Sequence, residues 1–139
     1  MTGAELYVLR KSDKVHAVIS SKELLDGNDA TSALLAATKG FVDANPTVAQ
    51  VAVAAIEEAI AFINRDPSTA ADIYIKSEAS KMAKGDVLES LTAGGIVYSV
   101  SPSGLIKFSS FMAKTGTLKN APGKWQDVFF PYIHDRIGN

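Results

Sequence analysis

The sequence predicts a helix-rich α/β fold with a few short strands and about five helices. Two helix starts of one design support this. Asn45-Pro46 and Asp66-Pro67 each place a short polar capping residue before a proline whose missing N–H costs nothing. Short runs rich in β-branched and aromatic residues indicate the strands. Between the two starts, apolar residues recur every three or four positions, as on one helical face: Val48, Val51, Ala52, Ala55, Ile56, Ala59, Ile60 and Ile63.

The N-terminal third supplies most of the predicted strands. Glu5–Arg10 contains LYVL and Val15–Ser20 contains VHAVI, so each is predicted to be a strand. Ser21–Asp29 is expected to form a loop or a single helical turn that ends in the turn-prone sequence DGND. Thr31–Thr38, TSALLAAT, suits either a buried strand or a helix, and the Lys-Gly break that follows favours the strand.

The middle of the chain is predicted to be helical. Helices are expected over Pro46–Ile63 and Pro67–Ser77, with a shorter one over about Gly85–Leu91. Ile96–Val100, IVYSV, has high β-propensity and is the last predicted strand.

A final helix and an aromatic segment are expected near the C-terminus. Ser101-Pro102 repeats the polar-proline start, and Gly116 is a natural stop for the helix. One face of this helix carries Leu105, Phe108, Phe111 and Met112. Four aromatic residues are then expected to anchor the last segment to the core: Trp125, Phe129, Phe130 and Tyr132.

Composition excludes several function classes. A chain of 139 residues is predicted to form a single domain over residues 1–139. The formal net charge is −1 and charges of both signs are mixed, so no basic stripe indicates nucleic acid. The absence of cysteine excludes disulfides and thiol chemistry. No apolar run approaches roughly 20 residues, so no membrane-spanning segment is predicted.

The residues that carry catalytic chemistry are few. His16 and His134 each lack a second histidine at metal-ligand spacing. Glu57 and Glu58 are neighbours on one predicted helix and point in different directions, which suits a solvated face better than acid–base chemistry. The sequence therefore predicts a protein that is not an enzyme, with no catalytic residue, metal or cofactor.

One segment has the composition of a ligand-contacting loop. Gly27–Ser32, GNDATS, offers small hydroxyl residues and backbone N–H groups before a predicted strand. Such a loop can hold an anion such as sulfonate, carboxylate or nitrate. The alternative is an ordinary turn capped by Asn28 and Asp29.

Three segments, taken in order, resemble a known family. They are KVHAVISSKELLDGNDATSALLAATKGFVDANP, AAIEEAIAFINRDPSTAADIYI and SPSGLIKFSSFMAKTGTLKNAPGKWQDVFFPYIH. They resemble the C-terminal part of substrate-binding proteins of ABC importers of the nitrate/sulfonate/taurine type, which also includes thiamine-precursor binders. The family turn reads Gly-Gly-Pro-x-Thr. Gly27 and Thr31 match it here, and Asp29 stands in place of the proline.

This resemblance implies a fold, a function and a site. The fold would be part of a type II periplasmic-binding-protein fold, whose two lobes close over a solute. The function would be solute binding for an ABC importer, with a small anion or sulfonate-like solute and an ABC permease as partners. Gly27, Asp29, Thr31 and Ser32 would line the solute cleft or hinge. The resemblance implies a periplasmic location. Because no signal peptide is visible, a truncated reading frame would instead be cytoplasmic.

Two alternatives accompany this prediction. The first is a truncated, non-binding, helix-rich module that self-associates or binds a protein partner, because the face shaped for the missing half needs cover. The second is a pyrimidine-synthesising enzyme akin to the thiamine-precursor branch. It ranks last because the histidine- and cysteine-rich catalytic segments of those enzymes have no counterpart in this chain.

Overall fold

A computed structural model describes residues 9–25, 30–92 and 96–139 of the chain. Every regular element among these residues is helical, and none of them forms a β-strand. The predicted α/β fold is therefore wrong. The partial type II periplasmic-binding-protein fold fails with it, because that fold is built around β-sheets.

The four predicted strands fail for a common physical reason. β-branched and aromatic residues favour a strand only where a second strand supplies ladder hydrogen bonds and a surface to pack on. Three of the four segments are irregular instead: Val15–Ser20, Thr31–Thr38 and Ile96–Val100. In the fourth, Glu5–Arg10, the described residues Leu9 and Arg10 are helical, and residues 5–8 lie outside the described part.

Six α-helices lie wholly within the described residues. They are α1 (Ser21–Leu24), α2 (Lys39–Ala44), α3 (Pro46–Arg65), α4 (Pro67–Ser77), α5 (Lys84–Thr92) and α6 (Leu105–Lys114). Two short 3-10 turns follow, at Trp125–Val128 and Pro131–Ile133. The predicted helices over Pro46–Ile63, Pro67–Ser77 and Gly85–Leu91 are confirmed as α3, α4 and α5. The single helical turn allowed after Ser20 is confirmed as α1.

Helix α2 corrects the predicted break at Lys39-Gly40. The Thr38 hydroxyl oxygen accepts the Phe41 N–H at 3.2 Å, so a side-chain cap starts a helix where the glycine suggested an end. At the other end, the Asn45 side chain donates to the Phe41 carbonyl at 2.9 Å. Asn45 therefore helps to end α2, and it is also the residue that directly precedes α3.

The start of α4 follows the predicted design. Asp66 Oδ1 accepts the Thr69 N–H at 3.0 Å, and Pro67 occupies the first helical position. Hydrogen bonds from the Thr69 side chain and then from its backbone lower the pKa of Asp66 below its ordinary value. The ionised carboxylate is therefore the form that caps the helix.

The Asp66 cap makes part of the stability depend on pH. Because its pKa is lower in the folded chain, its contribution is fully present above the unfolded value and is lost as pH falls through the folded value. We expect Asp66→Ala to lower the melting temperature at neutral pH and to have little effect at acidic pH. Far-ultraviolet circular dichroism measures both. Asp66→Ser, which can cap without a charge, should keep most of the stability and lose its acid dependence. Equal melting temperatures for Asp66→Ala and the native chain at neutral pH would contradict this capping role.

Helix α6 starts later than predicted. Gly104, with φ of 73°, is the N-cap, and the helix begins at Leu105. The start at the Ser-Pro pair is wrong, because the Pro102 carbonyl accepts the Asn139 N–H at 3.2 Å instead of a helical N–H. The predicted stop is confirmed. Gly116 has φ of 78°, and the bonds that close the helix are those of a Schellman motif.

The chain divides into two compact units, each made of two stretches. Met1–Val18 and Glu57–Tyr98 form the first unit, and Ile19–Ile56 and Ser99–Asn139 form the second. The single domain over residues 1–139 stays a prediction.

In the first unit, α4 and α5 pack closely on one another. Ala71 on α4 and Val87 on α5 are almost completely buried. The buried Ser90 hydroxyl donates to the Val87 carbonyl at 2.7 Å, so its polar group is satisfied. An exposed ion pair of 2.7 Å between Lys84 and Asp72 lies at the edge of this packing.

In the second unit, the core is built around Trp125, which is 5% exposed. Its indole meets the rings of Phe129 and His134 edge to face, with centroids 5.8 Å apart in both pairs. His134 Nε2 is also 2.9 Å from the Phe129 carbonyl, so this histidine is a packed structural residue. The predicted anchoring role of Trp125 is confirmed.

Candidate functional site

The structure describes two of the four residues predicted to bind a solute. Gly27 and Asp29 lie outside the described residues. The Thr31 N–H donates to the Ser103 carbonyl at 3.0 Å, and Thr31 Oγ1 accepts the Ser103 N–H at 2.8 Å. Ser32 is exposed. The Thr31 N–H that an anion would need is thus already bonded, and the four-residue solute site stays a prediction.

The contacts of Thr31 belong to a polar cluster at the start of α6. Asn139 Oδ1 accepts the Gly104 N–H at 2.5 Å and lies 3.3 Å from the Ser103 hydroxyl. The Asn139 carbonyl accepts the Leu105 N–H at 3.1 Å. Asn139 therefore places oxygen atoms where the partial positive charge of the helix N-terminus would attract an anion. Its role is structural: it joins the last residues of the chain to residues 102–105, and Thr31 joins a third segment to the same residues through Ser103.

Removing the Thr31 hydroxyl is expected to weaken the second unit. In Thr31→Ala the half-buried Ser103 N–H loses its acceptor, and a loss of about 1 kcal/mol in the free energy of unfolding is expected. The fluorescence of Trp125, the only tryptophan, reports this during denaturant unfolding. Thr31→Ser keeps the hydroxyl and should behave like the native chain. Equal denaturant midpoints for the native chain, Thr31→Ala and Thr31→Ser would show that this hydrogen bond adds nothing to the free energy of unfolding.

Side chains that could bind a metal ion do not gather among the described residues. No three histidine, aspartate or glutamate side chains lie close enough to hold a metal ion in that part of the chain. The acidic residues near α5 are engaged with lysine instead: Lys11 Nζ lies 3.1 Å from Asp86 and 2.7 Å from Glu89. The prediction that the protein is not an enzyme stays a prediction.

The most unusual feature of the described surface is α3. This helix has 20 residues, and none of them is buried. Of the helices that lie wholly within the described residues, only α4 and α5 pack closely as a pair, so none of the others covers α3 along its length. A helix this apolar is expected to be covered on more of its circumference. The uncovered part of α3 is therefore the candidate interaction surface.

The apolar residues of α3 differ in exposure. Some are half-buried, among them Ala52, Ile60 and Ile63. Five others form a continuous line, here called the α3 stripe: Val48, Val51, Ala55, Ala59 and Phe62. At 3.6 residues per turn, the stripe lies within a sector of about 80°.

Most of the α3 stripe is open to solvent. Val48 is 52% and Val51 61% exposed, Ala55 and Ala59 are exposed, and Phe62 is half-buried. Arg65 lies over the Phe62 ring, with Cζ 5.8 Å from the centroid. The sequence predicted one buried apolar face, whereas the structure leaves this part of it uncovered.

Helix α3 is also long and apolar enough to cross a membrane, judged by length and composition alone, with a mean hydropathy of 1.5. Glu57 and Glu58 oppose this, because they lie near the middle of the helix. An ionised side chain near the bilayer centre costs roughly 3 kcal/mol. These two carboxylates favour cover by protein over cover by lipid. The prediction of no membrane-spanning segment stays a prediction.

Comparison with protein-family models, with curated proteins and with solved structures found no match. The resemblance to substrate-binding proteins of ABC importers therefore rests on the quoted segments alone. The solute, the permease partner and the periplasmic location that it implies all stay predictions. The α3 stripe is the feature from which a function can be inferred.

Proposed function

We propose that this chain is a non-enzymatic helical module that self-associates, with the α3 stripe of each copy covered by a second copy. The observation that carries the proposal is a 20-residue apolar helix without one buried residue. Contiguous exposed apolar surface of this kind marks sites of association. The three- and four-residue steps of the stripe are those of a seam between two helices.

A second copy is a suitable occupant on energetic grounds. Full burial of a valine side chain contributes about 1.5–3 kcal/mol, so covering the exposed halves of Val48 and Val51 adds about 1 kcal/mol each. Each contact is counted twice in a symmetric dimer. Since association also costs several kcal/mol of lost motional freedom, we expect a weak dimer whose population rises with concentration.

Charge also favours association between copies. The net charge of −1 is small, so two copies repel one another weakly. The stripe contains no ionisable residue, and Glu57 and Glu58 lie outside it. Covering the stripe therefore requires no charge to be removed from water.

Solution mass tests this proposal. Light scattering across the micromolar range should show the mass rising from 14.7 kDa towards twice that value. The rise should be insensitive to salt, because apolar contacts rather than ion pairs drive it. A mass of 14.7 kDa at every concentration would contradict self-association. Flotation with phosphatidylcholine and phosphatidylglycerol vesicles is the companion measurement. A monomer that floats would replace this proposal with binding to a membrane.

A further inference from the structure

The α3 stripe has palindromic spacing about Ala55. Val48 and Phe62 lie seven residues on either side of Ala55, and Val51 and Ala59 lie four residues on either side. Because each residue of an α-helix rises about 1.5 Å, the members of each pair are equally far from Ala55 along the axis. The stripe therefore has the same pattern of positions read from either end.

We infer that two copies pair their α3 helices in antiparallel orientation, on a two-fold axis at Ala55. This inference rests on the proposed self-association and specifies its geometry. A two-fold interface brings one residue against a second and the second against the first. Val48 of each copy therefore meets Phe62 of the other, Val51 meets Ala59, and Ala55 meets Ala55.

Side-chain size favours this pairing. The three central layers each contain at least one alanine, so the helix axes can approach to about 9–10 Å, which leaves the two Ala55 Cα atoms about 5 Å apart. At both ends of the stripe the large Phe62 meets the smaller Val48. A parallel pair would instead stack Phe62 on Phe62 at one end and alanine on alanine at two layers. That arrangement holds the helices apart where Phe62 meets itself and leaves gaps at the alanine layers.

The surroundings of the stripe are compatible with the antiparallel pair. The two helix dipoles run in opposite directions, which is the favourable alignment. Arg65 lies beside Phe62 at the end of the helix, where its guanidinium can stay in water. Glu58 of the two copies would lie on the same flank, about 9 Å apart along the axis. That is roughly one Debye length at physiological salt, so their repulsion is weak.

The absence of cysteine allows a direct test by single-cysteine cross-linking. A disulfide forms only when the two Cα atoms lie about 4.4–6.8 Å apart. Under mild oxidation, Ala55→Cys should give a covalent dimer. Val48→Cys and Phe62→Cys should each cross-link poorly alone, and a mixture of the two should give a mixed dimer. Gln50→Cys, on the polar side of α3, measures random collision, and circular dichroism confirms that each variant folds.

The outcomes separate the inference from the proposed function. Strong cross-linking of Val48→Cys alone and Phe62→Cys alone would indicate a parallel pair and overturn the inference, while self-association through α3 would stand. Cross-linking of Ala55→Cys no stronger than that of Gln50→Cys, with a dimeric mass for the native chain, would place the interface elsewhere and also overturn it. A monomeric native chain would overturn both.

Discussion

Replacing Val51 by lysine is expected to keep the chain monomeric at concentrations at which the native chain is dimeric. Val51 is 61% exposed in the single chain, so lysine fits there without disturbing the fold. In the dimer the same position faces Ala59 of the other copy, and two ammonium groups would lose water without a partner. We expect the dissociation constant to rise at least a hundredfold, which corresponds to about 2.8 kcal/mol.

Gln50→Lys is the matched control for this variant. It adds the same charge at the neighbouring position, which lies on the polar side of α3, away from the stripe. Its mass should follow that of the native chain across the concentration range. A Val51→Lys protein that dimerises as well as Gln50→Lys would show that the α3 stripe is not the interface.

Gly138→Ala is expected to have the largest effect on the stability of the second unit. A Cβ at this position would lie 2.7 Å from Trp125 Cε2, 2.9 Å from its Nε1 and 3.0 Å from Pro102 Cγ. Either the buried indole must shift, or the last residues must leave it and break the bonds of Asn139 to Pro102 and Gly104. We expect a loss of about 1–3 kcal/mol, as for other overpacked sites.

Fluorescence of Trp125 measures this loss directly. Gly138→Ala should shift the emission to longer wavelength and lower the urea midpoint, because the indole becomes more exposed. Gly123→Ala is the control, since its Cβ would meet only Asp127 Oδ2, at an ordinary distance of 3.6 Å. An unchanged midpoint in Gly138→Ala would show that the tail does not pack on Trp125 in solution.

The helices were predictable because their determinants are local. The prolines and apolar periods that define α3 and α4, and the Asp66 cap of α4, all lie within the helices or next to them. The strand predictions failed because a strand needs a partner strand, and its own residues do not specify that partner. TSALLAAT illustrates this: its first residue bonds to Ser103, which is 72 positions away, and no ladder forms.

The candidate surface was predictable only in part. The apolar period showed that Val48, Val51 and Ala55 share a face with Ile56 and Ile60. Which of these residues the rest of the chain covers depends on tertiary packing, so the α3 stripe became visible only in the structure. The cluster of Thr31, Ser103 and Asn139 carried no sequence signal, because its members are 72 and 36 positions apart and have ordinary polar side chains.

The central claim is that a second copy covers the α3 stripe in solution, and methyl NMR with a soluble paramagnetic probe tests it most directly. Ile137, 91% exposed, serves as an internal reference for an uncovered side chain. Above the dissociation constant, the methyl signals of Val48 and Val51 should be protected from the probe while that of Ile137 is broadened, and dilution should remove the protection. Val48 and Val51 signals broadened as strongly as that of Ile137 at every concentration would contradict the claim.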